Sequence, residues 1–188
     1  MCFDELIERL RSRGVRFESG LAGYDFERIR EEFGIVFPPD LRDFYTAAMP
    51  VSQGFWNWSD RSESNEAGIR DMMNWPIEGM IFDIINNAFW VDSWGEKPGS
   101  QEKAIEIARE RCLSAPKLIP VFGHRFIPME PSEAGNPVLS VYQTDTICYG
   151  ENLASYLGIE FGFNKYEEMD FNAIKPVRFW SEVMDLNK

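Results

Sequence analysis

The first fifty residues place apolar side chains at helical spacing among charged ones. A helix brings residues three and four apart onto one face, and three segments follow this rule. Their apolar positions are Phe3, Leu6, Ile7 and Leu10, then Phe26, Ile29 and Phe33, and finally Leu41, Phe44, Tyr45 and Ala48. Gly14, Gly34 and Pro50 predict the ends of the three helices, and the proline pair at 38–39 predicts the start of the third. The second helix is predicted over residues 25–34.

A polar, turn-rich stretch follows. Residues 51–65 predict an ordered loop or a short hairpin. Helical spacing returns over residues 66–74 and again over residues 77–85, which end in a pair of asparagines. Proline fits the first turn of a helix, so Pro76 predicts that a separate helix starts there. This part of the chain therefore predicts two consecutive helices.

The next segment predicts a short strand, a turn and a helix. Residues 89–91 are apolar and predict the strand, and residues 94–99 carry the glycines and the proline of a turn. Ser100 is placed to cap a helix that runs to about Cys112, because a serine side chain accepts the free amides of a first turn.

The apolar pattern then changes from helical to extended. Short apolar or β-branched runs cover residues 118–122, 126–128, 138–142 and 147–149. Turn residues separate these runs, and connections this short join antiparallel strands. The sequence therefore predicts a largely antiparallel central sheet.

Two helices are predicted after the sheet. The first carries Leu153, Tyr156 and Leu157 on one face, and the second covers residues 177–186. The chain has neither an internal repeat nor a low-complexity linker. Residues 1–188 therefore predict a single domain of the α+β class, in which N- and C-terminal helices flank the central sheet.

The net charge of the chain indicates which classes of binding partner to expect. The net charge is −12, distributed as −4 over residues 1–60, −3 over residues 61–120 and −5 over residues 121–188. A diffuse negative field repels phosphate, so no direct nucleic-acid partner is predicted. The same field favours encounter with a basic protein. An acidic surface that only maintains solubility is the alternative interpretation.

The cysteines and the N-terminus bear on the compartment. Cys2, Cys112 and Cys148 are scattered and odd in number, so they predict neither a disulfide framework nor a zinc site. The first residues form a charged amphipathic stretch, and no apolar run approaches the roughly 20 residues that span a bilayer. A cytoplasmic protein without a membrane partner is the expectation.

Catalytic candidates are few. His124 is the only histidine, and the chain has no motif for a serine hydrolase, a zinc protease or a nucleotide-binding loop. His124 beside Arg125 could act as a base or hold a phosphate, with Cys148 as a nucleophile. A histidine that bonds the backbone in a turn, and a cysteine that fills an apolar strand, are the structural alternatives. The sequence favours these alternatives and predicts no enzyme and no cofactor.

Candidate residues for metal binding and for nucleic-acid binding are also few. Asp83, Asp92, Asp145 and His124 could supply ligands, but their spacing brings no two of them together on one helix face. No metal site is predicted. Arg125 stands alone among acidic residues, which predicts an intramolecular salt bridge.

The tryptophans suggest anchors for a protein partner. Tryptophan buries a large area with few rotatable bonds, which makes it a favoured interface residue. Trp56 and Trp58 lie in a polar stretch, where they form either a lid on the core or an exposed anchor. Trp75, Trp90 and Trp180 are expected in the core. Met72, Met73 and Met80 follow helical spacing and are also expected there.

Two stretches resemble the bacterial SMI1/KNR4-like (SUKH) family. The first is residues 32–45, EFGIVFPPDLRDFY, in which an acidic helix ends in glycine and a proline and an acidic residue open the next helix. The second lies between Trp75 and Phe161. Its motifs are Trp94-Gly95 followed by Pro98, LIPV at 118–121 followed by His124-Arg125, GNPV at 135–138, and QTD at 143–145 before Tyr149-Gly150.

The resemblance implies a fold and a class of function. It implies an α+β domain with a sheet flanked by helices. Bacterial members are immunity proteins that bind and block a cognate toxin, often a nuclease, while fungal relatives are regulators that act through protein contacts. The family has no catalytic motif to transfer.

The sequence therefore predicts a non-enzymatic protein-binding module, with an immunity protein against a basic toxin domain as the first hypothesis. A regulatory or scaffold protein of the same fold, and a ligand-binding protein or enzyme with a pocket around His124, stay open as alternatives. The oligomeric state is left open. The residues predicted to bind the partner are Phe55, Trp56, Trp58, Trp94, His124, Arg125 and Asp145.

Overall fold

The computed structural model describes residues 3–186, which form a mixed α+β structure. The helices are Phe3–Ser12 (α1), Gly23–Phe33 (α2), Pro39–Ala47 (α3), Glu63–Asn86 (α4), Gln101–Ser114 (α5), Leu153–Glu160 (α6) and Trp180–Asp185 (α7). The strands are Phe17–Ser19 (β1), Ala48–Pro50 (β2), Leu118–Phe122 (β3), Arg125–Pro128 (β4), Val138–Tyr142 (β5) and Asp145–Gly150 (β6). Short 3-10 turns cover Asp92–Trp94, Tyr166–Glu168 and Phe171–Ala173.

The central sheet has the strand order β3-β4-β5-β6, and each neighbouring pair is antiparallel. The extended runs and turns of the sequence predicted this sheet, and the prediction is confirmed. The first three helices and the Ser100 cap of α5 are also confirmed, since the Ser100 side chain accepts the amide of Lys103. Gly34 adopts the left-handed conformation that ends α2.

The two faces of the central sheet cover different apolar clusters. One face contributes Ile119, Val121, Ile127 and Val138 to a cluster with α1, α2, α3 and α6. The other contributes Leu118, Phe126, Leu139 and Val141 to a cluster with α4, α5 and α7. Side chains alternate between faces along a strand, so this division follows from the extended backbone.

The helix α4 corrects the prediction of two helices. It is continuous over 24 residues and carries Pro76 in its interior. A proline there removes one backbone hydrogen bond, which is why the sequence predicted a break. The helix continues because its two halves pack on the two clusters, through Ile69 on the first and through Met80 and Ile84 on the second. Tertiary packing outweighs the local preference.

The strand predicted at residues 89–91 is wrong. This segment is irregular, because Lys97 Nζ donates to the carbonyls of Ile84 and Phe89 and holds it against the end of α4. The last helix is shorter than predicted. It begins only at Trp180, because Phe179 has a positive φ of 69° that no helix accepts.

A small second sheet was not predicted. The strands β1 and β2 pair antiparallel, with Phe17 opposite Pro50 and Ser19 opposite Ala48. The sequence places Ala48 in the third helix because the apolar spacing continues to it, and Pro50 predicts the end of that helix. Three-residue strands are too short for the alternating pattern to show in the sequence.

Candidate functional site

The tryptophans of the 51–65 segment are structural. Trp58 is only 1% exposed and meets the rings of Phe33 and Phe37 edge-on, with centroids 5.5 and 5.2 Å apart. Trp56 is half-buried, and its Nε1 donates to the carbonyl of Gly123 at 2.9 Å. Of the two alternatives left open by the sequence, the core position holds for Trp58, so its prediction as an exposed anchor is wrong.

Phe55 and Trp94 are also buried and are corrected in the same way. The ring of Phe55 stacks on that of Phe161, with centroids 5.7 Å apart. The ring of Trp94 stacks on that of Phe179 with centroids 6.0 Å apart. Burial of these large side chains against other aromatic rings offsets the exposure that their polar neighbours in the sequence suggest.

Trp75 differs from its predicted position in the opposite sense. It was expected in the core but is 42% exposed on the outer face of α4, while Trp180 is buried as expected. Its ring lies 6.2 Å from that of Tyr142, which is 56% exposed, and the two planes are inclined by 58°. We call this pair of exposed rings, Trp75 and Tyr142, the aromatic corner.

The aromatic corner borders a part of the central sheet that is only partly covered. Arg125, Ser140 and Ile147 lie side by side on β4, β5 and β6, and Tyr142 lies opposite Asp145 in the next row. Cross-strand partners share a face, so these five side chains point to one side of the sheet. We call them the open sheet face. Asp145 is exposed, and Ile147 is 40% exposed.

The helix α6 covers this side of the sheet only as far as Arg125, whose side chain pairs with Glu160 of α6 and is 15% exposed. The helix α6 starts beside Gly150, where an added Cβ would come within 2.6 Å of the Cα of Tyr156. Leu153, Tyr156 and Leu157 of α6 are fully buried against the sheet. Tyr142 and Asp145 lie at the other end of β5 and β6. This end is left exposed, and it is a surface that a partner can reach.

The side chain of Arg125 is held in place by contacts with neighbouring side chains. Its guanidinium lies over the ring of Tyr149 at 4.3 Å and donates to the Ser140 hydroxyl at 2.9 Å. Glu160 lies 3.7 Å away, an ion pair without a direct hydrogen bond. The predicted intramolecular salt bridge of Arg125 is confirmed, although the partner is Glu160 of α6 and not one of the acidic residues that neighbour it in sequence.

His124 lies in the turn between β3 and β4 and contacts Arg125. Its Nε2 and the Arg125 guanidinium are hydrogen-bonding partners. Partial burial of the ring lowers the pKa of His124, and the adjacent Arg125 cation lowers it further, against the opposing effect of Glu160. The neutral imidazole is therefore favoured, and its Nε2 accepts a hydrogen bond from the guanidinium of Arg125. The expected bond to the backbone is replaced by this side-chain contact.

Cys148 does not pair with His124 in the way a nucleophile pairs with its base. It lies opposite Leu139, so it belongs to the other face of the sheet from Arg125 and Ser140. Burial raises the pKa of its thiol to about 11. Within residues 3–186 Cys112 and Cys148 are free thiols, while Cys2 lies outside the described residues.

The β5–β6 turn, which follows Tyr142, is tied to α4. The buried carboxylate of Asp83 accepts the amide of Thr144 at 2.9 Å and its hydroxyl at 2.6 Å. Its other oxygen accepts the side-chain amide of Asn87. These bonds join the β5–β6 turn to α4, so Trp75 and Tyr142 keep a fixed relative position.

Elsewhere the described chain offers a polar cleft but no group of metal ligands. A polar cleft of about 490 Å³ between α1 and α6 is lined by Arg9, Glu151, Ser155 and Lys165 among others, and His124 is not part of its lining. In residues 3–186, no three His, Cys, Asp or Glu side chains converge as a metal site would require. No helix within the same residues combines the length and the apolar character needed to cross a bilayer.

The structure thus brings together three of the seven predicted residues. His124, Arg125 and Asp145 lie on or beside the open sheet face, whereas Phe55, Trp58 and Trp94 are in the core and Trp56 is half-buried. Trp75, Tyr142 and Ile147 were missed. Tyr142 and Ile147 alternate with the buried Val141 and Cys148, and this period of two was the available signal.

The chain matches no protein-family model, no curated protein and no solved structure. The resemblance to the SMI1/KNR4-like family therefore rests on the motifs in the sequence.

Proposed function

We propose that this chain is a non-enzymatic protein-binding module that captures a basic protein partner on the open sheet face and the aromatic corner. The observation that carries this proposal is the exposure of Tyr142 and Ile147 on the central sheet, beside the exposed ring of Trp75 on α4. Exposed aromatic rings that share a surface mark interaction sites, because burying them in water-free contact stabilises a complex.

The charge of the surface supports a basic partner. The chain carries −12 overall, and Asp145 lies on the open sheet face while Glu160 balances Arg125 there. A negative surface attracts a positive partner and accelerates encounter. The aromatic corner would then slow dissociation, since central apolar anchors act mainly on that rate.

The family resemblance makes a toxin the first candidate partner. In this hypothesis the chain is an immunity protein that occludes a basic toxin domain, often a nuclease, in the cytoplasm. A nuclease domain that binds nucleic acid has a basic surface, which the acidic module can cover. The regulatory alternative uses the same surface and differs only in the identity of the partner.

A comparative capture experiment tests the proposal. The tagged chain and its Trp75→Ala/Tyr142→Ala variant would be used as baits in lysate of the native cell, with mass spectrometry as the readout. The control is Leu113→Ala, which alters a side chain that is 78% exposed outside the open sheet face and the aromatic corner. A basic protein captured by the wild type and the control, but not by the double variant, is the expected result.

The outcome also separates the two hypotheses on the partner. If expression of the captured protein alone stops growth and co-expression of this chain restores it, the partner is a toxin. If the captured protein has no such effect, the regulatory function is supported instead. Capture of the same proteins by the wild type and the double variant would contradict the proposed surface.

A further inference from the structure

We infer that the aromatic corner receives an arginine side chain of the protein partner. This inference rests on the proposed function and names the group that the surface recognises. Trp75 and Tyr142 are both exposed, their ring centroids are 6.2 Å apart, and their planes are inclined by 58°. Two inclined rings expose neighbouring π faces, against which a flat cation can lie.

Two carboxylates flank the aromatic corner. Asp71 lies one turn before Trp75 on the same face of α4, and Asp145 lies directly opposite Tyr142. Among residues 3–186 no Lys, Arg or His comes within ion-pair distance of either carboxylate. Each ring therefore has a neighbouring negative charge that the described chain leaves uncompensated.

The chain itself shows how this chemistry is satisfied elsewhere. Arg125 lies over the ring of Tyr149 at 4.3 Å and pairs with Glu160. Arg61 lies over the ring of Tyr24 at 5.9 Å and pairs with Asp25. Arg70 lies over Phe33 at 4.9 Å and also pairs with Glu32. A guanidinium that joins a ring face to a carboxylate is thus a repeated contact here. No described cation lies over Trp75 or Tyr142.

Arginine fits this surface better than lysine. Its guanidinium is planar and weakly hydrated, so it stacks on a ring while its edge donates to a carboxylate. The ammonium of lysine is compact and strongly hydrated, and it loses more hydration at such a site. The ties of Asp83 to Thr144 hold the rings in place before binding, which lowers the entropic cost of recognition.

Short capped peptides test the inference directly. Three peptides would differ only in one central residue, which is arginine, lysine or citrulline, the neutral analogue of arginine. Binding to the whole chain would be followed through the indole NMR signal of Trp75, assigned with the Trp75→Phe variant. We expect the arginine peptide to bind about tenfold more tightly than the citrulline peptide, from one ring contact and one carboxylate contact. The lysine peptide should lie between them.

Substitutions in the chain test whether the arginine peptide binds at the aromatic corner. Tyr142→Ala, Asp71→Asn and Asp145→Asn should each weaken arginine binding several-fold. Asp43→Asn is the matched control, because it removes the same charge from an exposed site on α3. Equal affinity for the arginine and citrulline peptides, stronger lysine binding, an unchanged Trp75 signal, or equal losses in Asp71→Asn and Asp43→Asn would each overturn the inference.

The result is separable from the proposed function. If the peptides fail these criteria while a basic protein is still captured through the corner, the arginine inference falls and the binding module stands. If the arginine peptide binds as expected but no protein is captured through the corner, the inference on its chemistry stands and the proposed function falls.

Discussion

Gly79 of α4 lies directly against the backbone of Gln143 in the β5–β6 turn. A Cβ added at Gly79 would be 2.7 Å from the Cα of Gln143, closer than real side chains approach. Gln143 has a positive φ of 56°, so the turn is itself at a restricted conformation and cannot easily withdraw. The absence of a side chain at position 79 therefore sets how closely the helix and the turn approach.

This contact predicts opposite effects for the same substitution at two positions of one helix. Gly79→Ala should destabilise the fold by about 1–3 kcal/mol, because the new methyl overlaps the turn backbone. Gly68→Ala should stabilise it by about 0.5–1 kcal/mol, since alanine favours helix and its Cβ would meet Trp56 at an ordinary 3.6 Å. Urea unfolding measures both, and equal signs for the two variants would contradict the geometry.

Asp83 provides a second prediction for the same junction. Asp83→Ala removes the acceptor of both Thr144 bonds, and hydrogen bonds to a charged group contribute about 1.5–3 kcal/mol each. We expect a loss of roughly 2–4 kcal/mol and faster hydrogen exchange at the Thr144 amide. The exposed Asp71 of the same helix is the control, and its replacement by alanine should cost less than about 0.5 kcal/mol. Unchanged exchange at Thr144 would show that Asp83 does not hold the turn.

Truncation of the buried Trp58 and of the exposed Trp75 should change the stability of the fold by different amounts. Trp58→Ala creates a cavity beside Phe33 and Phe37 and should cost about 3–5 kcal/mol. Trp75→Ala removes an exposed ring and should cost less than about 1 kcal/mol of stability, while it weakens partner binding. Thermal unfolding of both variants distinguishes the core role from the surface role. A larger loss for Trp75→Ala would refute the assignment.

His124 predicts a pH dependence that can be measured by NMR. Because partial burial of the ring and then Arg125 lower its pKa, the midpoint of its imidazole signals should lie below 6.5. The unfolded chain takes up the proton at a higher pH than the folded chain, so stability falls as pH decreases from about 6.5 through the folded value. His124→Gln should remove this part of the slope. A midpoint above 6.5 would contradict the contact with Arg125.

The central sheet could be predicted from sequence because its strands are short, apolar and separated by turn residues. The continuity of α4 could not be predicted, because a proline within a helical pattern is typical of the first turn of a new helix. Its continuity depends on two apolar clusters that form only when distant segments meet, which local spacing does not record. The strand expected at residues 89–91 is absent for a related reason, because Lys97, outside that segment, binds the carbonyl of Phe89 and that of Ile84 in α4.

The aromatic corner was hidden by a different limitation. Trp56, Trp58 and Trp75 carry the same side chain, so only their positions in the sequence could indicate which of them is exposed. The polar stretch around Trp58 left both a core and a surface position open, and Trp75 was expected in the core; Trp58 is buried and Trp75 is exposed. The burial of a ring depends on whether another element covers it, as α2 covers Trp58 through Phe33.

Because α4 is continuous, it forms one rigid rod about 36 Å long, at 1.5 Å per residue over its 24 residues. Its first turns are tied to α2 by the ion pair of Arg28 with Glu66, and its far end is tied to the β5–β6 turn by Asp83. A force applied at Trp75 by a docked protein is therefore transmitted to the contacts at both ends of α4. Mechanical unfolding that pulls on this helix should rupture both apolar clusters in a single event.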